Sequence, residues 1–379
     1  MKFVLFYHSL VSDWNHGNAH FLRGIVAELL NRGHDVHVLE PANAWSRDNL
    51  VADHGVQAWH EFEKRFPQLR SRIYEPDGVD LDALCGDADV VIVHEWNTPE
   101  LIAKIGRHRR THRYRLLFHD THHRSVTAPD EMSRYDFRDY DGVLAFGEAV
   151  RQEYLQHRWC ARAWTWHEAA DVRLFRPCAD VRTEGDLVWI GNWGDGERAD
   201  ELKEFLIDPV RDLHLTARLH GVRYPAHARE QLAQAGIDYR GWLPNWRAPD
   251  VFGAFRVTVH VPRSPYAKAL PGIPTIRVFE ALACGIPLVC APWNDAEHLF
   301  TPGKDYLVAR NGADMQRCLR DVLGDAALAR DLIMSGLRTI NARHTCAHRI
   351  DELFDILDEL GTAPAARAVR TAQGNAAYA

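Results

Sequence analysis

The sequence predicts an α/β protein of two doubly wound domains facing each other across a cleft. Three observations carry that expectation. Short apolar runs alternate with amphipathic stretches twice, once on either side of residues 178–185. Several apolar runs end in polar clusters, as strands of open parallel sheets do where a ligand binds at their carboxyl ends. A last amphipathic stretch carries Ile350, Leu353, Phe354 and Leu357 on one stripe.

In chain order, residues 3–7 read as a buried first strand, followed by the loop 12–18. Residues 20–31 repeat apolar positions at helical spacing (Phe21, Ile25, Leu29, Leu30) and stop at Gly33; 35–39 form the next strand. Residues 55–66 read as an aromatic-rich helix. The unbroken apolar run 90–93 marks a strand buried on both faces, ending in His94-Glu95-Trp96-Asn97. The strand 115–118 ends in His119-Asp120-Thr121-His122-His123-Arg124, and the strand 142–146 leads through Gly147 into a helix to about Gln156. Residues 178–185 are the linker. In the second half, the strand 187–190 opens the loop 191–196, and further strands fall at 214–219, 239–242, 257–261 and 306–308. Amphipathic helices follow at 313–323, 327–340 and 347–360. Beyond Gly361 the chain is Ala-rich and aperiodic, so 362–379 are expected to be a disordered tail.

The stretch that organises the rest is 271–290, Pro-Gly-Ile-Pro-Thr-Ile-Arg-Val-Phe-Glu-Ala-Leu-Ala-Cys-Gly-Ile-Pro-Leu-Val-Cys. It reads as turn, helix, turn and strand. Gly272, Ile273 and Pro274 make the approach, with Pro274 suited to the first helical position. The helix runs from Thr275 to Ala283, and Gly285 stops it. Its free N–H groups and positive dipole end suit a diphosphate, with Arg277 beside it. Glu280, further along, suits hydrogen bonds from a sugar diol.

Composition bounds the partners. The 379 residues suit two domains, 46% hydrophobic and 26% charged. A net charge of -7 argues against nucleic-acid binding by bulk electrostatics. Seven cysteines without a C-x-x-C point to reduced thiols and a cytoplasmic setting. The apolar run after Met1-Lys2 is too short for a secretion signal or a membrane span. The 22 histidines and 12 tryptophans are many; aromatic platforms serve carbohydrate sites, but core packing uses the same residues.

The 271–290 stretch resembles the donor-site signature of the retaining GT-B glycosyltransferases of family 4 and their CgeB-like relatives, roughly E-G-F-G-L-P-x-x-E-A-M-A-C-G-x-P-V-V. Glu280 falls on the second Glu, which in the family holds the nucleotide ribose. The first Glu, a donor-sugar contact, is replaced by Gly272. Residues 164–177 resemble the family segment P-N-G-V-D-x-x-x-F-x-P through Asp171, Phe175 and Pro177. Gly17-Asn18 fall where the family carries the Gly-rich loop under the donor phosphates. The resemblance runs in order over about 1–360.

It implies a GT-B fold with domains at 1–177 and 186–344, and a helix at about 345–361 crossing back onto the first. It implies a metal-independent, retaining transfer of sugar from a nucleotide-diphospho-sugar, UDP- or GDP-linked, to a glycan, a lipid-linked or a small-molecule acceptor. Cell-surface polysaccharide synthesis is the expected setting. The family Arg after the first strand of the second domain falls on Asn192, behind Gly191, and no phosphate Lys follows. Arg198, Arg240, Arg263, Lys268 and Arg277 are the candidate cations, with Arg263 and Arg277 favoured because they flank the phosphate helix. His119 occupies the family position of a His touching the transferred sugar. Asp120 stands beside it, and His122 and His123 are alternatives. His94 and Glu95 suit either the acceptor or a plain strand end. The His119, His122, His123 group lacks a companion H-x-x-E or D-x-H pattern, so no metal is expected. The run 107–115, with five arginines, reads as a solvated helix end or as a weak contact for an anionic lipid or phosphorylated acceptor. Two other readings stand beside the transferase: a GT-B sugar epimerase, and a nucleotide-sugar binder that has lost transfer.

Overall fold

The computed structural model describes residues 1–178, 181–194 and 196–361; the tail 362–379 lies outside the described residues. Two all-parallel sheets account for the alternation. The first holds β1 (Lys2–Phe6), β2 (Asp35–Pro41), β3 (Ser71–Tyr74), β4 (Val90–His94), β5 (Arg115–Asp120), β6 (Gly142–Ala145) and β7 (Ala163–Thr165), in the order β3-β2-β1-β4-β5-β6-β7. The second holds β8 (Gly185–Ile190), β9 (Ala217–His220), β10 (Ile237–Tyr239), β11 (Phe255–His260), β12 (Leu288–Cys290) and β13 (Leu307–Val308), in the order β10-β9-β8-β11-β12-β13. Each order reverses once, between β1 and β4 and between β8 and β11. That reversal opens a crevice at the strands' carboxyl ends.

The central strands are the most apolar because helices cover both sheet faces. All five residues of β4 are buried, and its register pairs His94 with His119 of β5. The helix Ile276–Cys284 buries all but Arg277, and Gly285 ends it in the left-handed conformation (φ 68°). Thr275, extended at φ -77° and ψ 161°, caps that helix. Pro274 therefore precedes the cap and does not hold the first helical position. The expected helix 55–66 is the second part of Trp45–Arg65, which breaks at Gly55 (φ 74°, ψ 169°). The aromatic pattern there could not show the part before the glycine.

The last helix, Cys346–Glu359, packs on Ala19–Asn31 of the first domain. Ile350, Leu353 and Leu357 share one core with Phe3, Phe21, Leu22 and Leu29. The helices meet closely at Gly24, where a Cβ would stand 2.4 Å from the Cys346 sulfur. Trp166 Nε1 donates to the Arg349 carbonyl at 2.7 Å, and the Ala170 N–H donates to the His344 carbonyl at 2.9 Å. The same core reaches Val278, Phe279 and Phe300, so apolar contact is continuous between the sheets.

Candidate functional site

A cleft of about 430 Å³ lies where the carboxyl ends of the two sheets meet. The loop after β1 lends Asn15, His16, Gly17 and Asn18; those after β4 and β5 lend Trp96, Thr121 and His122. Glu168 enters from the segment after β7. The second domain supplies Gly191, Asn192, Gly194, Arg198, Arg223, Arg263, Tyr266, Thr275 and Arg277. Trp45 closes one side. A smaller recess of about 30 Å³ continues past Gly191, Asn192 and Arg277 to Gly221 and Trp242.

One end of this cleft gathers the cations Arg198, Arg263 and Arg277. Gly17 sits against the start of helix Ile276–Cys284, where a Cβ would stand 3.0 Å from Ile276 Cγ2 and 3.5 Å from an Arg277 guanidinium nitrogen. Asn18 is fixed by its Nδ2 donating to Thr121 Oγ1 at 2.9 Å. Arg198 is buried, donating to the Val261 carbonyl at 2.8 Å and to the Asn192 carbonyl. Its Nε is buried with no partner among the described residues. Burial, with Arg263 and Arg277 nearby, draws this guanidinium down to about 10, so an anion there would relieve a real electrostatic cost. Gly194 leaves the space between Arg198 and Arg263 open: a Cβ on it would lie 3.3 Å from Arg198 Nε and 3.6 Å from Arg263 Cγ. Arg263 is held by Glu197.

Glu168 is a carboxyl among these cations. The Ile276 N–H donates to it, yet burial and the nearby Glu280 push it from 4.5 up to about 8. It is therefore neutral at neutral pH, when it would not repel an anion at the helix start. The imidazoles opposite are neutral too. Burial lowers His16 to about 4, and burial with His123, Arg124 and Arg263 lowers His122 to about 2. His122 Nδ1 is a buried nitrogen without a partner among the described residues.

The structure brings Gly17, Asn18, Gly191, Asn192, Arg198, Arg263, Thr275, Arg277 and His122 to the cleft and leaves other expected residues outside its lining. His119 is fully buried, packed edge-on against His94 at 5.1 Å and Trp166 at 4.9 Å, and its carbonyl accepts from the Glu95 N–H. It lies beneath the cleft because its register puts it beside His94 under the loop, whereas His122 rises from the turn beyond the strand. Asp120 builds that turn: Oδ1 accepts from the His122 N–H at 2.9 Å and Oδ2 from the Tyr154 hydroxyl at 2.8 Å. Arg240 is an exposed partner of Asp238, and Lys268 is exposed away from the lining.

Glu280 is also outside the lining. It is wholly buried, with Oε1 accepting from His20 Nδ1 at 2.9 Å and Asn245 Nδ2 at 2.8 Å, and Oε2 from Arg277. His20 accepts from the Asp171 N–H through Nε2, which fixes the proton on Nδ1. Burial opposes the charge on Glu280, but Arg277, His20 and Asn245 outweigh it and hold the carboxyl below its usual range. Arg277 and Glu280 thus form an i,i+3 ion pair whose carboxylate is wholly buried.

Gly272 and Ile273 contribute to the interface beside the cleft. A Cβ on Gly272 would stand 2.7 Å from Glu297 Cγ, so the Glu297 side chain fills the space beside the glycine. Its Oε1 accepts from the Glu148 N–H at 2.9 Å, and its Oε2 lies 2.8 Å from His167 Nε2. Ile273 packs against Gly147 of the first domain. Sequence reasoning missed Glu297, Glu168, Trp45, Trp96 and Tyr266. The signal for Glu168 was its place three residues before Asp171 in the segment leading out of the first domain.

A family model described as glycosyl transferase-like matches residues 198–355. No curated protein matches the chain. Among solved structures, sucrose-phosphate synthase from Thermosynechococcus elongatus superposes with a TM-score of 0.65 at 14% identity, over 95% of this chain and 100% of that one. HepE of Anabaena, in complex with UDP and glucose, gives 0.64 at 14% identity over 95% and 100%. An alpha-glucosyltransferase in complex with UDP and a 13-mer DNA containing a HMU base gives 0.66 at 13% identity over 94% and 99%. Two parallel-sheet domains of this connectivity, joined by a returning last helix and matched end to end by such structures, have the GT-B fold.

Proposed function

We propose that the protein is a glycosyltransferase that takes a sugar from a nucleoside-diphospho-sugar, with UDP as the favoured nucleotide. The observation that carries the reading is the anion cradle, in which Gly17, the start of helix Ile276–Cys284 and the unpaired Nε of Arg198 converge in one cleft. Transfer leaves a nucleoside diphosphate whose charge grows as the glycosidic bond breaks. Donors fixed in advance around that charge stabilise the transition state. Arg198, Arg263 and Arg277 are the side chains for this, with the helix N–H groups. The nucleoside would extend from the cleft along the second-domain loops toward Gly221 and Trp242. Support also comes from the glycosyl transferase-like match and from structural neighbours solved with UDP.

In this proposal the cations serve the leaving group without a metal, transfer is retaining, and the acceptor enters beside His16, His122, Trp45 and Trp96. His122 holds the acceptor hydroxyl or the transferred sugar through Nδ1. Glu280, assigned to the ribose by the resemblance, acts by positioning Arg277. The protein would be a member of family 4 or its CgeB-like relatives, in a cytoplasmic setting, with a role in surface polysaccharides. The units would be 1–177 with 345–361, and 186–344. No helix among the described residues is long and apolar enough to cross a membrane.

A thermal-shift panel of UDP-, GDP-, dTDP- and ADP-sugars tests the donor, because a ligand that binds the folded state raises its midpoint. One nucleotide class should shift the midpoint well beyond the others. Free nucleotide released over many turnovers with an acceptor identifies a transferase, whereas binding without release supports the non-catalytic reading.

A further inference from the structure

At the amino ends of the first sheet, away from the cleft, Asp82, His108 and His112 bring three ligand atoms together. Asp82 lies in the short helix Leu81–Cys85, His108 in the last turn of Pro99–Arg109, and His112 just before β5. The Nε2 atoms of both imidazoles lie 3.1 Å from the same Asp82 Oδ1, and all three ligand atoms fall within 4.8 Å of one another. The rings stack with centroids 3.8 Å apart and an 11° tilt.

His112 Nδ1 lies 2.9 Å from the His108 carbonyl, which can only accept, so Nδ1 carries the proton. His108 Nδ1 lies 3.0 Å from the Tyr114 hydroxyl, whose proton goes either to this nitrogen or to the Ile105 carbonyl at 3.3 Å. With its proton on Nδ1, a neutral His112 turns a bare Nε2 toward the Asp82 carboxylate, where a cation or a second ring proton has to sit; His108 Nε2 can turn the same way or donate to Asp82 Oδ1 at 3.1 Å.

We propose that Asp82, His108 and His112 bind one divalent transition cation of the zinc class, water completing its shell. Tetrahedral bonds of about 2.0–2.1 Å place neighbouring ligand atoms about 3.3 Å apart, close to the 3.1 Å between each Nε2 and Asp82 Oδ1; one of the near-parallel rings turns about its Cβ–Cγ bond to bring both lone pairs onto one ion. Each imidazole already has the outer partner that a metal-bound histidine needs, a carbonyl for His112 and a hydroxyl for His108. Two imidazoles with one carboxylate suit zinc, cobalt or nickel, and disfavour magnesium and calcium, which take oxygen ligands. Asp82 is 80% exposed while the imidazoles are 12% and 21% exposed, so the open coordination positions face solvent. The ion would pin the helix carrying Asp82 to the chain entering β5. None of the three residues lines the cleft, so the site is independent of the donor reading. It also gives a use to the histidines of the 107–115 run.

The test is titration of the chelator-stripped full chain with Zn²⁺ by calorimetry, and with Co²⁺ by visible absorption. One equivalent is expected, with cobalt bands of a four-coordinate site and a raised unfolding midpoint with zinc. His112→Ala and Asp82→Ala should each weaken zinc binding at least tenfold and remove the cobalt bands, while keeping the wild-type circular dichroism. Absence of a stoichiometric site in the wild type overturns the proposal. So does a site of unchanged affinity in the double variant His108→Ala/His112→Ala, since the metal would then sit elsewhere. If the single variants lose their fold, the isosteric Asp82→Asn replaces them, and it too must weaken zinc at least tenfold.

Discussion

Glu168 and Glu280 show how neighbouring carboxyls are set apart by their partners. Glu280 keeps its charge because three donors face it. Glu168 takes up a proton on folding, since its pKa rises from 4.5 to about 8. The sign follows for binding: below about pH 8 the cleft presents a neutral carboxyl, and above it an added negative charge opposes an anionic ligand. UDP affinity should therefore fall as pH rises through about 8, and Glu168→Gln should flatten that limb in calorimetry. An unchanged limb in the variant would place its origin elsewhere. His20→Ala removes a buried donor to Glu280 and should cost about 1.5–3 kcal/mol in urea unfolding. A smaller loss would mean that Arg277 and Asn245 suffice. His122→Ala should slow transfer about tenfold or more, roughly 1.4 kcal/mol of transition-state stabilisation, with UDP affinity nearly unchanged. Wild-type turnover would remove His122 from the reacting centre.

Among the elements, the helix pair Ala19–Asn31 and Cys346–Glu359 sets how firmly the chain's end is joined to its beginning. By propensity alone, Gly24→Ala in mid-helix would gain about 1 kcal/mol. At this crossing the added methyl meets the Cys346 sulfur and, at 3.0 Å, Asp171 Cβ, so overpacking of about 1–3 kcal/mol should prevail. A double-mutant cycle with Cys346→Ala should recover part of that loss in urea unfolding. Strict additivity would show that the two residues do not clash. Elements of this kind were legible where periodicity was long. The runs read at 20–31, 90–93, 275–283 and 347–360 each bury a continuous face, so apolar spacing alone marks them. β3, β7 and the helix before Gly55 were not legible. Ser-Arg-Ile-Tyr of β3 and Ala-Trp-Thr of β7 lack the unbroken apolar run that marks β4, and the helix before Gly55 is itself mostly exposed up to the glycine that breaks it.

The same contrast holds for the site. Positions fixed by local geometry, such as Gly17 before a helix or Thr275 at a helix start, could be read from the chain. Positions fixed by packing between distant segments could not: Glu297 fills the space beside Gly272, and His119 sinks while His122, three residues on, surfaces. Across the whole molecule, the cleft exists because several contacts clamp one sheet to the other. Asp13 accepts from Trp242 Nε1 at 2.9 Å and from the Asn245 N–H at 2.8 Å, His20 meets Glu280, and Glu297 reaches Glu148 and His167. These contacts hold Gly17 against the helix that carries Arg277, which makes the cradle a product of both domains. The diphosphate cradle is tested most directly by calorimetric titration of UDP into the full chain and into Arg198→Ala, with the fold of each checked by circular dichroism. One equivalent should bind the wild type, and the variant should bind at least tenfold more weakly because a charged hydrogen bond is lost. Equal UDP affinity in a folded variant, or no binding of any nucleoside diphosphate by the wild type, would contradict it.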